Sequence, residues 1–308
     1  MNTFTPPTFN KNAVDYWKEY LAEEGYVVLH NILEPEQVTT GIEHFWRSWN
    51  RVSPGFVRGD PTTWSIQTAP MMFAKGMAVF NGFGQSDFMW YLRTQPQIVG
   101  IFEEVHNTKD LVSSFDGFSV FFSKKQKSKA WWHIDQHPEN PVYSVQGAYN
   151  FFSVTQESAG FTVVPKSHRT FTPQTTNKKD WIQIDDPITT QGVKLLVPEN
   201  SFVLWNSRTI HANTGMSCKK DPFKLDRLTA YITFAPRRIE NKKDLFDFKE
   251  VRELSYKTGD TCSHWANKNE IKRYPWGFGP RYIQRGFGKI EPLRTADLEI
   301  PEDRLVYI

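Results

Sequence analysis

The chain has almost no cysteine. Cys218 and Cys262 are the only two among 308 residues, which rules out a disulfide framework or a CxxC metal site and fits a reducing compartment. An excess of one charge is also missing. Thirty-seven basic residues face 34 acidic ones, a net charge of +3, and so even a balance argues against nucleic acid or an anionic membrane as a partner. No apolar stretch approaches the roughly 20 residues that a membrane helix needs. Residues 1–10 lack the basic start and apolar core of a secretory signal. A cytoplasmic protein without a membrane segment is the expectation. Internal repeats and low-complexity linkers are absent too, so one domain over 1–308 is simpler than two.

Aromatic residues are abundant, at 15% with 24 Phe and 11 Trp, enough for a sizeable core. The first part of the chain reads as helical. Val14, Trp17, Tyr20 and Leu21 recur at helical spacing behind a cap at Asn10 or Asn12, and Gly25 ends the helix. Tyr26-Val27-Val28-Leu29 reads as a short strand. Pro35 opens a second helix with an apolar face of Val38, Ile42, Phe45 and Trp46 or Trp49. Residues 53–84 show no period. A third helix over about 86–104 is split by Pro96.

From Leu111 the texture changes. Strand-like runs appear at 118–122, 143–154, 162–164, 193–197, 202–205 and 228–234, punctuated by Gly, Pro and Asn. That is the pattern of an antiparallel sandwich or barrel. The organisation expected is a helical N-terminal part at 10–110, a β core at 111–238 and a polar extension at 239–308, which holds Pro275-Trp276-Gly277.

Chemistry concentrates in a few places. In a strand, residues i and i+2 point to one side, so His133 and Asp135 of His133-Ile134-Asp135 would face inward with Ile134 turned away. His211 follows the apolar run 202–210 and reads as the end of its strand. Two histidines and one carboxylate form the ligand set of non-haem iron oxygenases, which leaves coordination positions open for cosubstrate and oxygen. With eight histidines in the chain, a His-x-Asp pair also arises by chance, and a hydrogen-bonded histidine is the bland alternative. Trp131-Trp132 suggest an aromatic wall or, equally, core. Arg227, opening the run 228–234, needs a partner. Either it forms a structural pair with Asp226 or another acid, or it grips the carboxylate of an acid cosubstrate through its guanidinium fork.

Four ordered stretches together resemble the phytanoyl-CoA dioxygenase-like branch of the Fe(II)/2-oxoglutarate oxygenases. They are Trp132-His133-Ile134-Asp135, the segment from Glu157 through Gly160 to Pro165-Lys166-Ser167-His168, the run Leu204 to His211, and Arg227 with the run that follows it. Lys166 stands where that family usually has glycine, and the interval from His211 to Arg227 is longer than usual. The resemblance implies a mainly β fold with flanking helices, a double-stranded β-helix or jelly roll of cupin type. It implies Fe(II) on His133, Asp135 and His211, and 2-oxoglutarate on Arg227 with Gln146 touching it. His168 belongs to a structural turn in that family. His137 lies either at the pocket or in a polar loop, and Arg208, Arg237 and Arg238 are the other candidates for the carboxylate partner.

The activity implied is a dioxygenase that uses O2 to hydroxylate a C–H bond of a small organic substrate, releasing succinate and CO2. Lys-rich stretches at 124–129 and 219–220 would favour an anionic substrate, although a solvated surface is the plainer meaning of such runs. Residues 53–84, with Trp131 and Trp132, would help cover the site mouth. The alternatives are an oxygenase acting on nucleic acid or a protein side chain, and a non-catalytic cupin-like binding protein. The oligomeric state is open.

Overall fold

The computed structural model describes residues 1–65, 67–73, 76–122, 130–176, 178–217, 224–237, 242–267, 271–272 and 299–308. Outside the described residues lie the basic run 124–129, Lys219 and Lys220, Cys218, Arg238 and the Pro-Trp-Gly triplet at 275–277. The chain forms two compact units, Met1–Ile32 with Val120–Thr229, and Leu33–Ser119 with Ala230–Ile308.

The first unit is built on two sheets. One has the strand order Asn2–Phe4, Val193–Leu195, Gly160–Val163, His211–Thr214, His133–Ile134, Ile182–Gln183. The other runs Thr8–Asn10, Tyr26–His30, Ser201–Asn206, Val145–Asn150, Leu225–Tyr231, Phe118–Phe122. From residue 118 onward most successive strands change sheet, which makes the double-stranded β-helix, or jelly roll, that the family resemblance implies. Burial explains why the central strands show no alternation: all six residues of Val145–Asn150 are buried, and five of the six in Ser201–Asn206. Small residues permit the close pairing, with Gly147 opposite Leu204 and Ala148 opposite Val203.

The sheets also draw on the N-terminal residues. Asn2–Phe4 and Thr8–Asn10 pair in parallel with Val193–Leu195 and Tyr26–His30. Three-residue strands with exposed ends carry no period that sequence reading can detect. The cap of the first helix differs as well. The helix is Val14–Glu24 with Ala13 at its start and no side-chain cap. Asn10 instead accepts the Asn12 N–H through its own side chain at 2.9 Å, a local turn that competes with capping.

A correction with consequences concerns His211. It does not end the strand that begins at 201; it begins the next one, in the other sheet. The first strand stops at Asn206, whose carbonyl accepts the Thr209 N–H at 2.8 Å while its side chain accepts the Arg208 N–H at 2.9 Å. Polar groups at 206–209 therefore close a tight turn within what reads as one apolar run.

Gly25 anchors that turn. Its φ of +82° caps the first helix, with its N–H on the Leu21 carbonyl at 2.9 Å. Its own carbonyl accepts from the Asn206 N–H at 2.9 Å and from Thr209 Oγ1 at 2.8 Å. A β-carbon here would lie 2.4 Å from His168 Nδ1 and 2.5 Å from Thr209 Oγ1. The motif Pro165-Lys166-Ser167-His168 packs onto the same helix end: His168 Nε2 bonds the Ala22 carbonyl at 3.0 Å, and the Lys166 N–H bonds the Glu24 carbonyl at 2.8 Å.

In the second unit the helix Pro35–Val52 starts with a reciprocal capping box between Glu34 and Gln37. It buries Gly41, Phe45, Trp46 and Trp49, and these rings join Phe56, Phe83, Phe88 and Phe118 in an aromatic core. Pro96 does divide the third helix, into Asp87–Arg93 and Pro96–His106. The run 228–234 is also divided, because Phe234–Pro236 leaves the preceding strand and pairs with Leu111–Ser113. Arg252, fully buried, donates to the carbonyls of Ser113, Ala266 and Ile308 at 2.6, 2.8 and 2.7 Å, and its guanidinium lies 4.0 Å over Phe115. Among the described residues no helix is long and apolar enough to cross a membrane.

Gly25→Ala tests the anchoring role. Both the positive φ and the missing space oppose a methyl group, so urea unfolding should show a loss of about 2–4 kcal/mol. A change below about 1 kcal/mol would show that the Asn206–Thr209 turn does not depend on this position.

Candidate metal centre

The site is made by strand pairing. His133 and His211 lie directly opposite each other on neighbouring antiparallel strands, which brings their imidazole centroids to 4.3 Å. Asp135 follows two residues after His133, and its N–H is held by the Ser207 carbonyl at 2.8 Å. Ile134, between them, turns to the other side and packs with Val164, Ile182, Ile184 and Ile210. The apolar residue of the triplet thus anchors the strand on one face while its polar neighbours share the opposite face.

Both imidazoles are oriented by the same device. His133 Nδ1 lies 2.8 Å from the carbonyl of Trp131, and His211 Nδ1 lies 2.9 Å from that of Thr209, in each case two residues back. A carbonyl only accepts, so Nδ1 carries the hydrogen and the Nε2 atoms are turned toward the carboxylate. Asp135 Oδ2 lies 3.2 Å from His211 Nε2 and 3.7 Å from His133 Nε2. One ligand atom from each of the three residues falls within 4.8 Å of the others. Ligands about 2.1 Å from a shared ion and at right angles to each other stand about 3 Å apart. The spacing and the donor types therefore fit a divalent transition-metal ion, which would also relieve the repulsion between inward-facing lone pairs and the carboxylate.

Aromatic rings enclose the histidines. Trp131 stacks on His133 at 4.2 Å and 11°, with Trp181 at 5.9 Å. Phe161 and Trp205 flank His211 at 5.6 and 5.4 Å. Trp132 takes no part in this wall. Its ring packs beside Ile134 and against Gly192, where a β-carbon would meet it at 2.3 Å. The imidazoles are 5% exposed and the Asp135 side chain 17%, so access is on the carboxylate side.

Gln146 lies beside the candidate ligands: its Nε2 donates to Asp135 Oδ2 at 2.9 Å. Arg227, 3% exposed, sits within the strand Leu225–Tyr231 rather than at its start. Two neutral oxygens hold it, as Nε donates to Thr229 Oγ1 at 3.0 Å and Nη2 to Asn213 Oδ1 at 2.9 Å. Thr229 Oγ1 also bonds Asn150 Oδ1 at 3.0 Å. These partners obey the two-residue rule, since Asn213 is two beyond His211 and Thr229 two beyond Arg227. A polar seam thus continues from the strand His211–Thr214 to the buried guanidinium. Thr229 is one of the polar alternate positions of the run that Arg227 opens; Asn150 and Asn213 have no place in the expectations from sequence, and the i+2 spacing from His211 is the signal that would have found Asn213.

The other candidates lie elsewhere. His168 sits against the first helix. The His137 ring accepts the Glu139 N–H at 3.1 Å and its backbone N–H donates to Asp180 at 3.0 Å, which places it in the polar loop. Arg208 bonds the Asn140 carbonyl at 2.5 Å. Arg237, in the second unit, bonds Asp110 at 3.2 Å and the Val306 carbonyl at 2.8 Å.

No family model matches the chain. It is 24% identical over 265 residues to Ava biosynthesis cluster protein O of Aspergillus versicolor, covering 79% of this chain and 83% of that protein. Among solved structures, AviO1 from Streptomyces viridochromogenes has a TM-score of 0.51 at 13% identity, covering 77% of this chain and 99% of that one. The non-haem α-ketoglutarate-dependent epimerase SnoN from nogalamycin biosynthesis has a TM-score of 0.50 at 18% identity, over 76% and 89%. EvdMO1 has a TM-score of 0.53 at 16% identity, over 73% of this chain and 50% of that one. At these identities the likeness is one of fold.

Anaerobic titration with Co(II), followed by its visible spectrum, checks the donor set. One ion per chain should bind. Asp135→Ala should weaken binding by at least about a hundredfold, and Gln146→Leu by about tenfold through loss of its bond to the carboxylate. Equal binding by the native and Asp135→Ala proteins would place the ion elsewhere.

Proposed function

We propose that this protein is an Fe(II)/2-oxoglutarate-dependent dioxygenase that hydroxylates a C–H bond of a small organic molecule. The observation that carries the reading is the convergence of His133, Asp135 and His211 on one face of a jelly-roll sheet, with a buried arginine joined to the same strand through Asn213. The ligand set leaves half of an octahedron for other molecules, which suits oxidative chemistry better than a structural ion. Support also comes from SnoN, which shares the fold and is named as α-ketoglutarate-dependent.

In this reading the His133 and His211 Nε2 atoms and an Asp135 oxygen hold Fe(II). When bound, Fe(II) with 2-oxoglutarate would supply the oxygen activation needed to hydroxylate the substrate with release of succinate and CO2. The protein's own residues supply position and dryness. The carbonyls of Trp131 and Thr209 keep both imidazoles in one tautomer and one orientation. Gln146 fixes the rotamer of the Asp135 carboxylate by donating to it. Arg227 would receive the distal carboxylate of 2-oxoglutarate, with Asn213 and Thr229 fixing the guanidinium through their hydrogen bonds to it. Trp131, Phe161 and Trp205 shield the ligands from water, while the less covered side of Asp135 admits the substrate.

The test is turnover of isotope-labelled 2-oxoglutarate with Fe(II) and oxygen, read as succinate and CO2. A panel of small organic acids and neutral metabolites is screened for stimulation of that turnover, and products are read by mass. A product one oxygen heavier than its substrate is the expected outcome, whereas a product of unchanged mass would point to a different fate for the activated C–H bond. Arg227→Met should raise the 2-oxoglutarate concentration for half-maximal turnover by about a hundredfold, or about 2.7 kcal/mol, with Co(II) binding retained. No succinate above the level of the Asp135→Ala protein, with or without substrates, would reject the reading.

A further inference from the structure

The second unit carries a cavity of about 420 Å³, within the size range of small-ligand sites, that the iron chemistry does not use. Its chemistry is that of an anion receptor. Arg47 and Arg51 come from the helix Pro35–Val52, one turn apart and so on the same face. Arg304 comes from the C-terminal helix Glu302–Leu305 and Tyr256 from the helix Lys242–Thr258. Among the described residues four cations line the cavity, these three arginines and Lys257, against two acids, Asp87 and Glu299.

The acids do not balance the arginines of the helix Pro35–Val52. Asp87 is engaged by Arg304, whose Nη2 lies 3.1 Å from Oδ1 and whose Nη1 donates to the Tyr256 hydroxyl at 2.7 Å. Arg47 and Arg51 make no ion pair or hydrogen bond among the described residues. The positive field is felt nearby, since burial and then the Arg47 charge hold His44 below its ordinary pKa. A further donor is present at the wall. Asn81 is 8% exposed, and its Nδ2 is buried with no hydrogen-bond partner. A buried amide donor left unmade is destabilising, and such groups commonly mark a missing ligand or water. Phe83 and Tyr256 supply apolar and aromatic surface in the same cavity.

We propose that this cavity binds a small organic oxyanion, with Arg47 and Arg51 gripping the acid group, Asn81 donating to it, and Phe83 and Tyr256 contacting its apolar body. The acid is a phosphate monoester or a carboxylate, since both match guanidinium forks. The site belongs to the second unit alone and stands whether or not the first unit binds iron.

Isothermal titration of the full chain with inorganic pyrophosphate, and separately with citrate, tests the proposal at about 0.1 M salt, where surface charges are largely screened. At least one anion should bind saturably, one per chain. Pyrophosphate alone identifies phosphate as the ligand chemistry, and citrate alone identifies carboxylate. Arg47→Glu/Arg51→Glu should weaken that binding at least about tenfold while leaving the thermal midpoint unchanged, because both side chains are exposed. A control pair with the same charge change elsewhere, Lys109→Glu/Arg169→Glu, should stay within about twofold of the native protein. Absence of saturable binding by both anions overturns the proposal. So does binding that survives Arg47→Glu/Arg51→Glu, or that falls equally in the control.

Discussion

The first unit depends on a simple constraint: each of the two facing imidazoles donates its Nδ1 hydrogen to a carbonyl two residues back on its own chain. That bond decides the tautomer, and the tautomer decides that both Nε2 atoms look toward Asp135. The register that places His133 opposite His211 would be of no chemical use without it, because a freely rotating ring presents either nitrogen. The donor geometry is therefore set by backbone. An ion held there would need little reorganisation of its ligands.

The backbone carrying His211 is positioned in turn by residues far from the metal. The turn at 206–209 hangs from the carbonyl of Gly25, and the segment at 165–168 packs against the same helix end. Lys166 has φ +63°, a left-handed conformation that favours glycine, and this explains why the resembling family usually has glycine there. The lysine is held in place by its N–H bond to Glu24 and by ion pairs at 3.1 Å to both Glu23 and Glu24. These exposed pairs hold the Lys166 ammonium above its ordinary pKa. Local contacts thus offset the backbone cost of replacing glycine. The helix, the turn and the strand that begins at His211 form one connected support.

How much of this was legible in the sequence follows from what each feature depends on. The ligand triplet was visible because strand periodicity is local: His133, Ile134 and Asp135 need only the two-residue rule to share out their faces. The Pro96 break and the Gly25 stop are likewise single-residue effects. The start of a new strand at His211 was not legible, since polar closure at Asn206 and Thr209 is hidden in a run dominated by Val203, Leu204, Trp205 and Ile210. The strands at 2–4 and 8–10 could not be seen either, because pairing with distant strands, and not their own composition, makes them strands. Gln146 reads as a possible cosubstrate contact; its hydrogen bond to Asp135 was not legible, because it depends on side-chain reach across the sheet. Of the neutral partners of Arg227, Thr229 shares its strand, whereas Asn213 comes from another strand and so required the fold.

The central claim is that His133, Asp135 and His211 hold iron through two Nε2 atoms and one carboxylate oxygen. The most direct measurement is anomalous diffraction at the iron edge from crystals grown without oxygen in the presence of Fe(II) and 2-oxoglutarate. A single peak about 2.1 Å from all three ligand atoms is the result this account predicts. A well-ordered protein with no peak there, or with iron held by other side chains, would contradict it.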